Sequence, residues 1–336
     1  MAVTINDVAK RAKVSPSTVS KAMKNYPGIS ASTKARVFNA IKELNYTANV
    51  AASSLSSKNV KKIALLIHIN DSRQQIDEVN MHYLLGAFDK ASELDIQVLT
   101  IFTYSISKLN KNELIQYLKS QGVTGIAVYG LNKENKIIHE IIEEKIFKMV
   151  VIDAPISNDW TSSVYVDQTE GQYAVAKKIL NKDYIHNVLY LAGKKNGYIT
   201  DMRIQGIQRL QNELGFNLNI QYADFSEKRA YELTKQYGDS VQAIVCASDL
   251  MAIGAIKSLK SMDIYREVCG FDGIGLMAYT APNVYTCVQD FSNVSSVAIE
   301  EMNNLFEGKK GRRIILDYRI DALKYEDVVL RETNNE

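Results

Sequence analysis

Short apolar runs and amphipathic stretches take turns along most of this chain. Residues 63–69 form an apolar run, after which Tyr83, Leu84, Ala87, Phe88, Ala91 and Leu94 recur at helical spacing. Strand-like runs at 96–102 and 125–129 are followed by helical patterns near 111–120 and 134–146. Further strands are predicted at 149–152, 163–167, 188–192, 243–247 and 268–272, with helices near 170–181, 200–214, 227–237 and 249–262. Such alternation predicts an α/β fold of parallel sheets covered on both faces. Roughly a dozen strands is too many for one ordinary sheet. The pattern therefore predicts two lobes, near 61–160 and 161–290, with a tail over 291–336 that adds a helix and short strands and crosses back.

The first 46 residues carry a different pattern. Thr4 followed by Asp7 suggests a capping box, and Ile5, Val8, Ala9 and Ala12 share one face of a helix over 5–12. Ser15 can cap a second helix over 16–24, where Pro16 sits at a position whose missing N–H costs nothing. Asn25 to Gly28 has turn chemistry. Ser30 is then a candidate cap for a third helix bearing Val37, Ile41 and Leu44 at i, i+4 and i+7. The tight turn between the first two helices is helix-turn-helix geometry. With Val19, Ala22 and Met23 facing a small core, the second helix exposes Ser17, Thr18, Ser20, Lys21 and Lys24. Hydroxyls and cations of this kind suit base edges and phosphates.

Charge sharpens that contrast. Over all 336 residues, 40 Lys+Arg against 38 Asp+Glu leave +2, a figure that points to no polyanionic partner. Residues 1–62, however, carry eleven basic side chains against two acidic ones, a net of +9. The remaining 274 residues carry 29 against 36, a net of −7. A basic head on an acidic body is the footprint of a nucleic-acid-binding module attached to a self-standing domain.

Several function classes drop out. No apolar run approaches the roughly 18 residues of a membrane span, and the N-terminus lacks the apolar core of a signal peptide, so the chain is read as cytoplasmic without a membrane partner. Cys246, Cys269 and Cys287 are odd in number and lie in apolar runs, which suits reduced packing residues. No G-x-S-x-G, H-E-x-x-H or Cys/His cluster is present, and His68, His82, His139 and His186 are scattered and read as surface or core residues. No enzyme, cofactor or metal site is expected. Gly273-Ile-Gly275-Leu-Met-Ala278 formally fits a dinucleotide fingerprint, but Pro282 arrives too soon for the helix which that motif needs. Ligands of α/β folds sit beyond the carboxyl ends of strands, which makes Asp153, Asp167, Asp249 and Asp272 candidate ligand groups. Each alone also fits a helix cap or turn.

The run from Thr4 through Ser15-Pro16-Ser17-Thr18 to Lys21, then Ile29 to Thr33, Leu44-Asn45-Tyr46 and Asn49, closely resembles the head of the lactose-repressor/galactose-repressor (LacI/GalR) family of bacterial transcription regulators. The resemblance implies a second helix in the DNA major groove. Pro16, Ser17 and Lys21 then read bases, while Thr4, Thr18, Ser20 and Asn49 hold phosphates. It also implies a hinge helix within 47–60 that folds on DNA, adding Ala52 and Leu55 to the contacts, with Leu55 as a minor-groove wedge. Ala48 and Ser53 depart from the proline and arginine common in that segment. The modules so defined are a head over 1–46, a hinge over 47–60 and a body over 61–336.

The body resembles the same family's effector domain, with a periplasmic-binding-protein-like (type I) fold, through Val166-Asp167, Arg203-Ile-Gln-Gly206, Ala247 to Gly254, Gly270-Phe-Asp272 and Thr286 to Phe291. Carried over, Asp153, Arg203, Asp272 and Gln289 bind the effector's hydroxyls or charged group, with Ser248 and Asp249 assisting. Phe225 stands where sugar-responsive members pack an aromatic ring on a pyranose face. Carboxylates and a planar guanidinium suit a small polyol. Segment 68–83 departs from the family pattern, leaving the first lobe's ligand wall unassigned. The expected protein is a homodimeric repressor of a pseudo-palindromic operator in double-stranded DNA, tuned by a small molecule, most simply a sugar. A purine or protein effector, or a free sugar receptor, remain the alternatives.

Overall fold

The computed structural model describes residues 3–23, 26–44, 46, 61–68 and 77–326. The expectations for the hinge segment, including Asn49, Ala52 and Leu55, lie outside the described residues. By internal contacts the chain divides into two compact units, Met1–Val60 and Lys61–Glu336.

The first unit contains α1 (Ile5–Ala12), α2 (Pro16–Met23) and α3 (Ala31–Glu43). Lys13 adopts a left-handed conformation (φ 51°) that ends α1 and turns the chain. Ser15 Oγ accepts from Thr18 N (3.1 Å) at the start of α2, and Ser30 Oγ accepts from Thr33 N at the start of α3. Val8, Ala9, Ala12, Val19, Ala22, Val37 and Ala40 are buried in one small core.

The second unit holds two six-stranded sheets. In the first lobe β1 (Lys62–Ile67) is followed by α4 (Glu78–Glu93), β2 (Gln97–Phe102), α5 (Lys111–Ser120), β3 (Gly125–Tyr129), α6 (Lys136–Glu143) and β4 (Lys148–Ile152). β5 (Thr161–Val166) pairs with β4 in parallel. The expected lobe boundary at 160/161 is thus displaced, and the chain crosses only after Val166. A strand's sheet is set by its pairing partner, which local periodicity does not encode.

The second lobe contains α7 (Gln168–Leu180), β6 (Asn187–Ala192), α8 (Tyr198–Leu214), β7 (Asn217–Tyr222), α9 (Glu227–Tyr237), β8 (Ala243–Cys246), α10 (Asp249–Ser261), β9 (Glu267–Cys269), α11 (Gly275–Thr280) and β10 (Tyr285–Val288). α12 (Phe291–Phe306) returns to the first lobe, where Val294, Ala298, Ile299 and Met302 share a core with Ile63, Leu65 and Tyr83. β11 (Arg313–Leu316) then extends the first sheet in parallel, and β12 (Arg319–Ala322) closes the second, antiparallel to β10. Three connections therefore join the lobes: after β5, after β10, and between β11 and β12.

The central strands are continuous apolar runs because both faces are covered. On β1, Ile63 and Leu65 face α4 and α12, whereas Ala64 and Leu66 face α5 and α6. Gly86 lets α4 approach α12 closely, since a Cβ there would lie 2.0 Å from Ser292 O. Two features depart from the sequence expectations. The edge strand β7 is additional to the expected strands, although Asn217-Leu-Asn-Ile-Gln-Tyr222 alternates as a half-covered strand should. A short helix, α11, does open after Gly273, and it ends before Pro282. Cys246, Cys269 and Cys287 are free and buried in β8, β9 and β10, and burial pushes all three thiols up. Among the described residues no helix is long and apolar enough to cross a membrane.

Candidate functional site

The head presents one polar surface. On α2, Pro16, Ser17 and Lys21 are exposed, and Thr18 and Ser20 are half-buried. Ser15 Oγ lies 2.8 Å from both Ser17 Oγ and Thr18 Oγ1, which gathers three hydroxyls at the helix start. Thr4 is placed differently from its expected role. Its hydroxyl and its amide both donate to Asp7 Oδ2 (2.7 and 2.9 Å), and these bonds hold the Asp7 carboxyl below its usual range. The phosphate contact expected of Thr4 requires that hydroxyl to exchange partners.

In the second unit a cavity of about 190 Å³ lies between the lobes. It falls below the roughly 300–1,000 Å³ of pockets for drug-sized ligands, so it suits a compact molecule. Of the seven residues expected to bind an effector, Asp153, Arg203, Phe225, Ser248, Asp272 and Gln289 line it.

Those polar groups form one network. Arg203 is 2% exposed, and its guanidinium stacks on the Phe271 ring with Cζ 3.7 Å from the centroid. Its Nε donates to Gln168 Oε1 (2.8 Å), its Nη1 to Ala247 O, and its Nη2 to Asp272 Oδ1 (3.3 Å). Asp272 Oδ1 also accepts from Gln289 Nε2 (3.1 Å), whose Oε1 accepts from Gln168 Nε2 (3.1 Å). Asp153 accepts from the Tyr83 hydroxyl, and its other oxygen lies 3.5 Å from Gln168 Nε2. The chain of bonds thus runs from α4 in the first lobe to α8 in the second.

Three buried carboxyls, those of Asp153, Asp249 and Asp272, share this region with one guanidinium. Burial pushes each above the usual carboxylate range, and the Arg203 charge opposes the shift. Asp153 (φ 60°), Asp272 (φ 122°) and Phe225 (φ 59°) all have left-handed backbone where a strand gives way to a loop. Such conformations cost on the order of 1–3 kcal/mol for an ordinary side chain, and they aim these groups inward. The Phe225 ring lies over Gly193, where a Cβ would come within 2.1 Å of it.

Asp249 does not join the cavity. Its carboxylate accepts from Gly273 N (2.7 Å), Ile274 N (2.9 Å) and Thr286 Oγ1 (2.7 Å), so it braces the loop that carries Asp272. Asp167 likewise caps α7, accepting from Glu170 N. Helix α11 offers no phosphate cradle, because the Glu78 carboxylate from the first lobe already accepts from Gly275 N (2.6 Å) and Leu276 N (3.4 Å).

Sequence reasoning missed the first-lobe wall. His68, Tyr83, Tyr129, Asn132 and Phe291 line the cavity, with Tyr83 packing edge-on against Phe291 at 5.1 Å. His68 and Tyr129 end β1 and β3, so the strand-end rule applied to the aspartates would also have found them. The lobes meet at further points: Lys133 N donates to Asn196 O (3.1 Å), Asn196 Nδ2 donates to Glu134 Oε1 (2.9 Å), and Lys133 pairs with Asp201.

A helix-turn-helix head followed by a two-lobed domain with a polar inter-lobe cavity defines a DNA-binding transcription regulator that senses a small molecule. Residues 4–49 match the family described as bacterial regulatory proteins, lacI family, and residues 81–310 match the periplasmic binding protein domain. This chain belongs to the lacI family of bacterial regulatory proteins. It is 27% identical to the HTH-type transcriptional regulator RegA of Clostridium saccharobutylicum, over 92% of this chain and 94% of that protein. Its fold resembles the lac repressor dimer bound to operator and the anti-inducer ONPF (TM-score 0.80, 20% identity, 95% of this chain and 98% of that one). It also resembles a complex of the regulator CelR with cellobiose (TM-score 0.69, 20% identity, 95% and 98%).

Proposed function

We propose that this chain is a homodimeric repressor that binds a pseudo-palindromic operator through α2 and releases it when a small sugar occupies the inter-lobe cavity. The carrying observation is the convergence of Asp153, Arg203, Asp272, Gln289 and Phe225 on one compact cavity. Carboxylates accept pairs of sugar hydroxyls, a guanidinium and amides donate, and an aromatic ring covers an apolar sugar face. The lac repressor dimer on its operator and CelR with cellobiose support both halves of the reading. The wall of Tyr83, Tyr129 and Phe291 favours a second reading, a purine stacked on aromatic rings.

In this reading the modules are 1–46, 47–60 and 61–336. Pro16, Ser17 and Lys21 face bases; Thr4, Thr18, Ser20 and Asn49 face phosphates; Ala52 adds a DNA contact and Leu55 enters the minor groove. The cavity binds its ligand without transforming it. Ligand bridging both walls favours one lobe arrangement over another, and only that difference in affinity can be passed to the heads. Binding of fluorescent duplexes, with sugars and nucleobases added in turn, tests this. A palindromic site is expected to bind at least about 10³-fold tighter than random DNA at physiological salt, and one sugar is expected to release it. Equal affinity for both duplexes would refute the repressor, and release by a purine alone would replace the sugar.

The dimer has a candidate surface. Met81, Leu85 and Phe88 are 57%, 51% and 46% exposed at i, i+4 and i+7 on α4, while Tyr83, Ala87 and Ala91 fill the core from its other face. An apolar stripe of this kind marks an interface. Leu85→Asp is expected to shift the protein toward monomer in sedimentation velocity without unfolding it, and to weaken operator binding. A variant that remains dimeric would place the interface elsewhere.

A further inference from the structure

Lys194, in the loop after β6, and His68, at the end of β1, face each other across the lobes, with Nζ 3.0 Å from Nε2. Both are half-buried in the cavity wall. An ammonium has no lone pair, so Lys194 donates and the His68 Nε2 accepts. The imidazole proton therefore resides on Nδ1, which lies 3.1 Å from Thr103 Oγ1 and donates to it. Lys194 keeps two N–H donors for whatever enters.

Among the described residues no carboxylate forms an ion pair with Lys194. Asp224, the carboxylate whose charge reaches Lys194, is paired with Arg229. Burial lowers the basicity of Lys194 and of His68, and the Lys194 charge lowers His68 further. A half-buried ammonium bonded to a neutral imidazole, with the one carboxylate that reaches it already paired elsewhere, is poorly compensated. Neither side chain exchanges a described hydrogen bond with the network around Arg203. The cavity therefore holds two chemistries: carboxyls that receive hydroxyl donors, and a cation with donors to spare.

We infer that Lys194 and His68 form an anion-receiving subsite, so that the effector is a compact sugar bearing an acid group, either a phosphate or a carboxylate. The inference rests on the sugar reading above. An anionic oxygen replaces the imidazole as the Lys194 acceptor, and His68, taking a proton from solvent at Nε2, donates to the same group. One acid group is then held by the second lobe through Lys194 and by the first through His68, so it ties the lobes together as a neutral sugar does not.

Titration calorimetry on the full chain tests this with free hexoses, their 6-phosphates and hexuronates. An acid-bearing sugar is expected to bind at least about tenfold tighter than its neutral parent, or about 1.4 kcal/mol, and the winning arm tells phosphate from carboxylate. Lys194→Gln removes the preference, and Lys194→Arg restores most of it. The inference is overturned if neutral parents bind as tightly, if the preference survives Lys194→Gln, or if inorganic phosphate alone binds as well as any sugar phosphate. Those outcomes leave the sugar reading standing; failure of every sugar to bind removes both.

Discussion

Arg203→Met is expected to destabilise the two-lobed unit by about 3–5 kcal/mol, as removal of one member of a buried charged network does, and to abolish the effector response. The guanidinium is donor to Gln168, Ala247 O and Asp272 at once, and methionine removes all three bonds, leaving Asp272 only its bond from Gln289. Asp272→Asn provides the contrast. The amide oxygen can still accept from Arg203 and Gln289, so the fold is retained, while a hydroxyl bond to charge is lost. Effector affinity is expected to fall by about 1.5–3 kcal/mol for that bond, roughly 10- to 150-fold. Thermal melts with calorimetry separate the two variants. If Arg203→Met melts and responds like wild type, the guanidinium is not the anchor of the site.

The same carboxyl carries a pH dependence with a definite sign. Burial raises the Asp272 carboxyl above the usual range, so the folded protein favours its protonated form. Its contribution to stability is full below the ordinary carboxylate range and is lost as pH rises from there toward neutrality. A ligand that donates hydroxyls to Asp272 favours the ionised form, so binding should release protons and tighten over the same interval. Asp272→Asn should flatten both trends, which melts at several pH values and calorimetry in buffers of different ionisation enthalpy would show.

Val19→Asp is expected to unfold the head and remove operator binding while leaving effector binding within about twofold. Val19 is fully buried in a core of seven residues, and an unpaired carboxylate there costs several kcal/mol, more than so small a core can offset. The two-lobed unit has its own cores and should melt unchanged. Lys21→Ala, on the exposed face of the same helix, should keep the head folded and weaken specific binding by about 1–3 kcal/mol, with relaxed preference at one base position. If the loss were instead equal for all sequences, with a salt slope shallower by about 0.9, Lys21 would touch phosphate rather than a base.

Much of this organisation is legible in the residues. The helix at 227–237 coincides with its periodic signal, and Ser15, Ser30 and Asp167 cap helices as their side-chain chemistry suggests. What escaped was non-local. The pattern at 161–166 reads as a strand in either lobe, and only pairing with β4 and β11 assigns it to the first sheet. Asp249 and Asp272 look alike as strand-end acids, yet one braces a loop while the other faces the cavity. Glu78 gave no signal at all, because its partners, the amides of Gly275 and Leu276, lie nearly two hundred residues away.

By itself, the amino-acid sequence determined the basic head, the α/β alternation of the body and most of the second-lobe residues that line the cavity. These follow from local periodicity, capping chemistry, charge and motif, all of which act over a few residues. The tertiary structure alone decided which lobe each strand joins, how α12 returns to complete the first core, and which side chains meet across the cleft. His68 meets Lys194, Asp153 meets Gln168, and Glu78 meets α11 only because three separate connections bring the lobes face to face. Such contacts depend on the path of the whole chain, and no window of neighbouring residues contains them.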